Sequence, residues 1–272
     1  MIWEHSLNPV VLHIWGNFAI RWYSIAYLAG LFAGYLWFKM LVRNKFCTLT
    51  MTQLYDFMFY LAIGVMLGGR VGYLLFYDFQ EFISDPFMIF RVWEGGMSFH
   101  GGFIGVLLAV IVYAKKIKID IWRLAGMCAV VTPVGLFFGR LANFINGELW
   151  GKPTDGTWGV IFPAAPDMLP RHPTQLYEAF GEGALLFTVL YILFRKGVRF
   201  ELMGPLFGIG YSFIRFFIEF VREPDEGIGY VIGETITTGH ILSLGLLCFS
   251  LWLLWTVNRV RPTIPAASKT KK

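Results

Sequence analysis

Charged residues punctuate an otherwise apolar segment in YSFIRFFIEFVR, where Tyr211, Arg215 and Glu219 stand four apart and Arg222 follows three later. On a helix these offsets form one stripe. A hydroxyl, two cations and a carboxylate on such a face suit a phosphate-bearing amphiphile. Guanidinium offers paired donors, and a low dielectric strengthens the attraction. The alternative is an Arg215–Glu219 pair that only holds the helix in place, with Arg222 reaching to the membrane interface. A second polar group ends another apolar run in GRLANFINGELWG, where Arg140 and Asn143 share a helical face and Asn146, Gly147, Glu148 and Gly151 mark the exit into a loop.

Other polar residues sit near apolar segment ends at similar depth. His100 follows a glycine pair in EGGMSFHGGFIG, and its imidazole can accept or relay a proton near neutral pH. In HPTQLYE, Gln175 and Glu178 share a face that Glu182 continues, which suits either a hydrogen-bonded cavity wall or direct chemistry. Arg70 lies near the end of one apolar run and Tyr23 at the start of another. A charged side chain at mid-bilayer costs about 2.5–3.5 kcal/mol on the lenient scales, so several at one depth predict a shared polar cavity. The sequence has no HExxH or GxSxG motif, so metal hydrolysis and the usual serine route lack support, and no metal or cofactor is expected. Cys47, Cys128 and Cys248 are too scattered for a metal or redox pair. The nucleophile is then expected to come from a second substrate.

Positioning these groups falls to membrane helices. Of 272 residues, 56% are hydrophobic and 15% charged, with a mean hydropathy of +0.59. A soluble domain carries about 25% charged residues. Apolar segments at about 20–38, 53–75, 98–114, 122–143, 175–194, 202–221 and 237–257 predict an all-α polytopic membrane protein of about seven transmembrane helices. Basic patches at Lys39/Arg43/Lys45, Lys115/Lys116/Lys118/Arg123, Arg195/Lys196/Arg199 and Arg259/Arg261/Lys269/Lys271/Lys272 follow alternate spans, whereas Asp78, Glu81, Asp85, Glu94, Asp155, Asp167, Glu223, Asp225, Glu226 and Glu234 fall in the other linkers. The positive-inside rule then predicts an outside N-terminus and a cytoplasmic C-terminus. The net charge of +5 follows from this sidedness and calls for no nucleic acid. Nothing in MIWEHSLNPV marks a cleaved signal peptide. The organisation expected is one membrane-embedded domain over 1–260, with a Gly- and Pro-rich extracytoplasmic cap at about 147–173 and a disordered basic tail over 261–272.

With these residues in place, the chain resembles the prolipoprotein diacylglyceryl transferase family. GRLANFINGELWG at 139–151 fits the family signature GRxxNFxNxExxG in full. FHGGFIG at 99–105, RWY at 21–23, HPTQLYE at 172–178 and YSFIRFFIEFVR at 211–222 follow in family order. One departure is Ser24, where RWYG is common. The resemblance implies a seven-helix enzyme of the bacterial inner membrane. It would take phosphatidylglycerol and the lipobox cysteine of a prolipoprotein signal peptide, form a thioether-linked diacylglyceryl group and release glycerol phosphate, without metal or nucleotide. It further implies that Arg140 and Arg215 handle phosphate and that His100 takes the thiol proton or orients lipid. Glu148 and Glu219 would be orienting carboxylates, with Tyr23, Asn143, Tyr211 and Gly151 at further activity-linked positions. Arg70, Asn146, Gln175, Glu178 and Arg222 complete the expected substrate-binding set. The competing reading is a transporter or receptor for an anionic amphiphile, which the one-sided clustering and lack of an internal repeat disfavour. A third is an assembly protein whose ion pairs only fix helix register.

Overall fold

The computed structural model describes residues 1–15, 18–91, 95–224, 229–233 and 235–260. Glu94, Asp225, Glu226, Glu234 and the expected tail over 261–272 lie outside the described residues. Long helices dominate: α1 (Trp22–Arg43), α2 (Met51–Phe76), the short α3 (Phe79–Ser84), α4 (Phe99–Ile117) and α5 (Ile121–Asn146). The fifth expected span is divided into α6 (Thr174–Glu178), a π-helical stretch (Ala179–Leu185) and α7 (Leu186–Arg195). Then come α8 (Phe200–Ile218) and α9 (Thr238–Val260).

Local chemistry sets the helix starts. Thr50 and Gln53 form a reciprocal cap on α2, with the Thr50 hydroxyl accepting from Gln53 N–H at 3.2 Å and the Gln53 carbonyl accepting from Thr50 N–H at 2.9 Å. Ser98 caps α4 and Asp120 caps α5 through their side-chain oxygens. Between α2 and α4 the contact is built from glycine. A Cβ on Gly64 would stand 2.6 Å from the Gly105 carbonyl oxygen, and one on Gly72 would stand 2.7 Å from Gly101 Cα. Small residues four apart let the two backbones touch, which is how helices associate where lipid removes the hydrophobic drive.

Packing separates the two ends of the bundle. Trp37, Phe38, Leu54, Phe57, Tyr113, Leu124, Met127, Leu190, Phe194 and Met203 form one buried apolar cluster. It joins the C-terminal halves of α1, α4 and α7 to the N-terminal halves of α2, α5 and α8, with Trp37 donating to the Met127 carbonyl at 2.8 Å. The opposite end is polar and also carries strands, which the all-α expectation lacked. β1 (Ile2–Glu4) pairs in parallel with β4 (Gly159–Ile161). β2 (Val10–Trp15) and β3 (Phe18–Arg21) form a hairpin leading into α1, and β5 (Tyr230–Ile232) pairs with β6 (Ile236–Thr237) before α9. Strands this short show no alternating pattern against apolar flanks.

Residues 147–173 are tied down by this sheet and by Arg171. Its guanidinium donates to Asp167 at 2.7 Å, to Glu223 at 2.9 Å and to the Gly151 carbonyl at 3.0 Å. Six helices among the described residues, with the run Thr174–Arg195 from α6 to α7 taken as one, are long and apolar enough to cross a membrane, against the seven expected. The helix left out is α8, whose apolar character is diluted by Glu201, Pro205, its glycines and Arg215.

Candidate functional site

The polar end of the bundle is assembled from the last turns of α5 and α8 and the first turns of α1, α6 and α9. Helix α5 stops at Gly147, which adopts a left-handed conformation (φ +66°) that favours glycine. The Gly147 and Glu148 amides then return to the Phe144 and Asn143 carbonyls at 3.0 and 3.2 Å. This stop turns Glu148 back toward α5. The Tyr23 hydroxyl donates to Glu148 Oε1 at 2.5 Å, and Asn143 Nδ2 donates to the same oxygen at 2.8 Å and to the Tyr23 hydroxyl oxygen. Gln175, wholly buried, donates to the Glu148 backbone carbonyl at 2.6 Å.

Beside this network lies a six-charge cluster. Glu178 ends α6 and Glu182 sits in the π-helical stretch, both with fully buried side chains. Such wide turns mark many functional sites. Flanking glycines make room for it: a Cβ on Gly181 would stand 2.6 Å from Ile214 of α8, and one on Gly183 2.6 Å from Phe137 of α5. Arg140 meets Glu182 Oε2 at 3.0 and 3.2 Å and Glu178 Oε2 at 3.2 Å. Glu178 Oε1 pairs with Arg215, whose other terminal nitrogen lies 2.7 Å from Glu219 Oε2. Arg222 is 3.9 Å from both Glu178 and Glu219. Three guanidinium groups thus face three carboxylates, with Glu178 bridging α5 and α8. The glutamates are sealed while the Arg140 and Arg215 side chains keep 18% and 14% exposure, so the accessible fringe of the cluster is cationic. Removing one partner of a buried pair costs about 3–5 kcal/mol, because the other charge is stranded.

The structure therefore brings together Tyr23, Asn143, Glu148 and Gln175 in one network and Arg140, Glu178, Arg215, Glu219 and Arg222 in another. Tyr211 lies one turn before Arg215 on α8, its ring stacked on Phe207. Asn146 ends α5 with its Oδ1 buried and unbonded among the described residues. Gly151 is a packing requirement, since a Cβ there would stand 2.6 Å from the Val221 carbonyl oxygen. His100 and Arg70 likewise bond to neither network. His100 is exposed on the first turn of α4, edge-on to Phe99, with no hydrogen bond to a described residue. Arg70 is buried and donates to backbone carbonyls: Met88 at 2.5 and 3.1 Å, Gly96 at 3.3 Å, and Gly95. Its fork matches a loop and holds it against α2.

Sequence spacing leaves Glu182 open between a cavity wall and direct chemistry, and it assigns no role to Thr237 and His240. The Thr237 hydroxyl donates to Glu219 Oε1 at 2.8 Å, and its backbone N–H donates to His240 Nδ1 at 3.2 Å. Their one sequence signal is TTGH opening an apolar segment.

Just outside the helices, His172 bonds Tyr177 at 3.3 Å through Nδ1. Partial burial holds its pKa below the usual histidine value against the pull of Asp155. An apolar groove of about 510 Å³ runs between α8 and the continuous α6–π-helical segment, lined by Leu176, Phe180, Leu185, Phe213, Phe217 and Ile218. It lies on the same two elements that carry Glu178 and Arg215.

Comparison with known proteins adds chemical identity to this geometry. A family model described as prolipoprotein diacylglyceryl transferase matches residues 9–256. The chain is 44% identical over 263 residues to a phosphatidylglycerol–prolipoprotein diacylglyceryl transferase of Allorhizobium ampelinum, covering 93% of this chain and 91% of the relative. Identity to the protein of the same name from Sinorhizobium medicae is 43% over 271 residues, covering 96% and 95%. With that of Xylella fastidiosa it is 41% over the full length of both chains.

Proposed function

The chain belongs to the prolipoprotein diacylglyceryl transferase family, and from that premise we propose that it moves the diacylglyceryl group of phosphatidylglycerol onto the thiol of a prolipoprotein lipobox cysteine. The cysteine sulfur attacks the glycerol carbon bearing the phosphate. A carbon–sulfur bond forms, the carbon–oxygen bond breaks, and its electron pair leaves with glycerol phosphate. The observation that carries this reading is the cationic fringe of Arg140 and Arg215 over three buried glutamates, beside an apolar groove. Fixed donors aimed at charge that develops on a leaving group are worth most where water is excluded. The transporter or receptor alternative finds no support among the relatives, which are named as transferases.

In this reading the phosphate meets Arg140 and Arg215 by displacing part of their carboxylate pairing, and the acyl chains lie in the groove between α6 and α8. Glu219 and Glu148 orient neighbouring donors. Tyr23, Asn143, Gln175 and Tyr211 line the path of the head group, with Glu178 and Arg222 completing the charge set. His100 accepts the thiol proton as the peptide cysteine approaches along α4, and Arg70 shapes the neighbouring loop. The N-terminus, the strands and residues 147–173 face the extracytoplasmic side of a bacterial inner membrane, and the basic helix ends face the cytoplasm. Helix α8 is the seventh crossing, its charges accepted because they face the bundle interior.

The test is a membrane assay with phosphatidylglycerol and a lipobox peptide. A thioether product is expected that disappears when the peptide cysteine becomes serine; a lipidated product independent of that cysteine overturns the assignment.

A further inference from the structure

His240 is the third residue of α9, wholly buried and edge-on to two rings, Phe216 of α8 at 5.1 Å and Phe220, just past the end of α8, at 4.5 Å between centroids. Its Nδ1 accepts from the Thr237 backbone N–H at 3.2 Å and lies 3.0 Å from the Thr237 hydroxyl oxygen. Its Nε2 is buried with no hydrogen-bond partner among the described residues. A buried polar ring atom without a partner carries a penalty, so an imidazole in this aromatic slot needs a reason beyond filling space.

The reason lies on the Nδ1 side. With Nδ1 fastened to Thr237, the Thr237 hydroxyl points at Glu219 Oε1 at 2.8 Å, and the other Glu219 oxygen stands 2.7 Å from Arg215. The carboxylate also lies against Gly239, where any side chain would collide with it, so the start of α9 grips Glu219 from two directions. A helix start is a favourable place for that negative charge.

Resting on the proposed transferase reading, we infer that His240 is a positioning residue: through Thr237 it fixes the Glu219 carboxylate and thereby aims Arg215 at the charge that develops on the departing phosphate. A misaimed guanidinium still attracts the bound anion but meets the transition state less well, so the effect falls on kcat and not on KM.

The experiment compares the full-length wild type with His240→Leu, Thr237→Val, their double variant and His240→Gln, each purified in detergent. Transfer is measured with phosphatidylglycerol and a lipobox peptide, and the carboxylate infrared bands are compared with those of Glu219→Gln. His240→Leu is expected to lower kcat by about tenfold, with KM for phosphatidylglycerol within about twofold. Thr237→Val should lose a similar factor and the double variant little more, because the two act as one unit. His240→Gln, whose amide keeps a donor and an acceptor, should recover most of the loss. Both single variants should shift the band that Glu219→Gln removes. Unchanged kcat in His240→Leu, losses that multiply in the double variant, or an unshifted Glu219 band overturns the inference. If the wild type transfers nothing, the transferase reading falls, and the infrared shift alone decides whether His240 positions Glu219.

Discussion

Arg70 and Arg215 are both arginines enclosed by an apolar bundle, yet their surroundings differ in kind. Arg70 is capped by neutral backbone carbonyls from Met88, Gly95 and Gly96, which match its fork and hold a loop in place. Arg215 faces Glu178 and Glu219, and Arg140 faces Glu178 and Glu182. A carbonyl set fixes one geometry. A carboxylate set leaves a charge that an incoming anion can compete for, with a partly exposed edge to receive it. The partner of a buried arginine thus distinguishes a clamp from a site more sharply than its depth does.

The largest expected effect breaks the site side of this comparison. Arg215→Ala and Arg140→Ala should each lower transfer from phosphatidylglycerol to the lipobox peptide by about 10²–10³-fold, the range seen when a donor to developing negative charge is removed. Arg70→Lys should keep turnover within about tenfold of wild type, because it retains the cation and loses only part of the fork. An Arg70→Lys enzyme as impaired as Arg215→Ala would erase the distinction between clamp and site. Next, His100→Ala should lower kcat by about 10²-fold if it takes the thiol proton; loss confined to KM for the lipid would assign it to orientation instead.

A third effect concerns stability. Glu178→Gln leaves Arg140 and Arg215 short of their shared carboxylate and should reduce unfolding stability by about 3–5 kcal/mol, read by thermal unfolding in detergent. Glu148→Gln, outside the six-charge cluster, should cost less. The smallest effect lies in the loop between α5 and α6. Arg171 holds the Asp167 carboxyl below its usual pKa, so this pair stabilises the fold above about pH 4, the unfolded carboxyl value, and the contribution is lost as pH falls through the lower folded value. Unfolding midpoints of wild type and Asp167→Asn should therefore differ at pH 6 and converge once the pH falls below the lowered folded value of Asp167.

Much of the helical frame was legible in the sequence because apolar runs of span length have few other uses. The expected segment at 122–143 is α5 with its ends extended, and the glycine and asparagine exit at 146–147 is the observed helix stop. Stripe spacing in YSFIRFFIEFVR put Arg215 beside Glu219 as observed, whereas α8 ends at Ile218 and Arg222 reaches the cluster from beyond the helix, at 3.9 Å from Glu219. What spacing does not carry is partnership across helices. Glu182 reads locally as the next residue along a wall, and only the glycines on either side admit the wide turn that sets it against Arg140. His240 is marked in the sequence only by TTGH at the start of an apolar segment, and its contacts with Phe216 and Phe220 come from another helix and its exit. Arg70 shared depth with the cluster in one dimension, and its carbonyl partners arrive from a loop that hydropathy does not describe.

The pairing of β1 with β4 also sets an order of biogenesis. Residues 2–4 are made first, but their partners at 159–161 emerge only after α1 through α5 have been synthesised. Closing so long a loop is slow compared with forming local helices. The strand-bearing end of the bundle is therefore closed after the first helices have formed, and a chain stalled before residue 161 would display an unpaired edge to quality-control proteases.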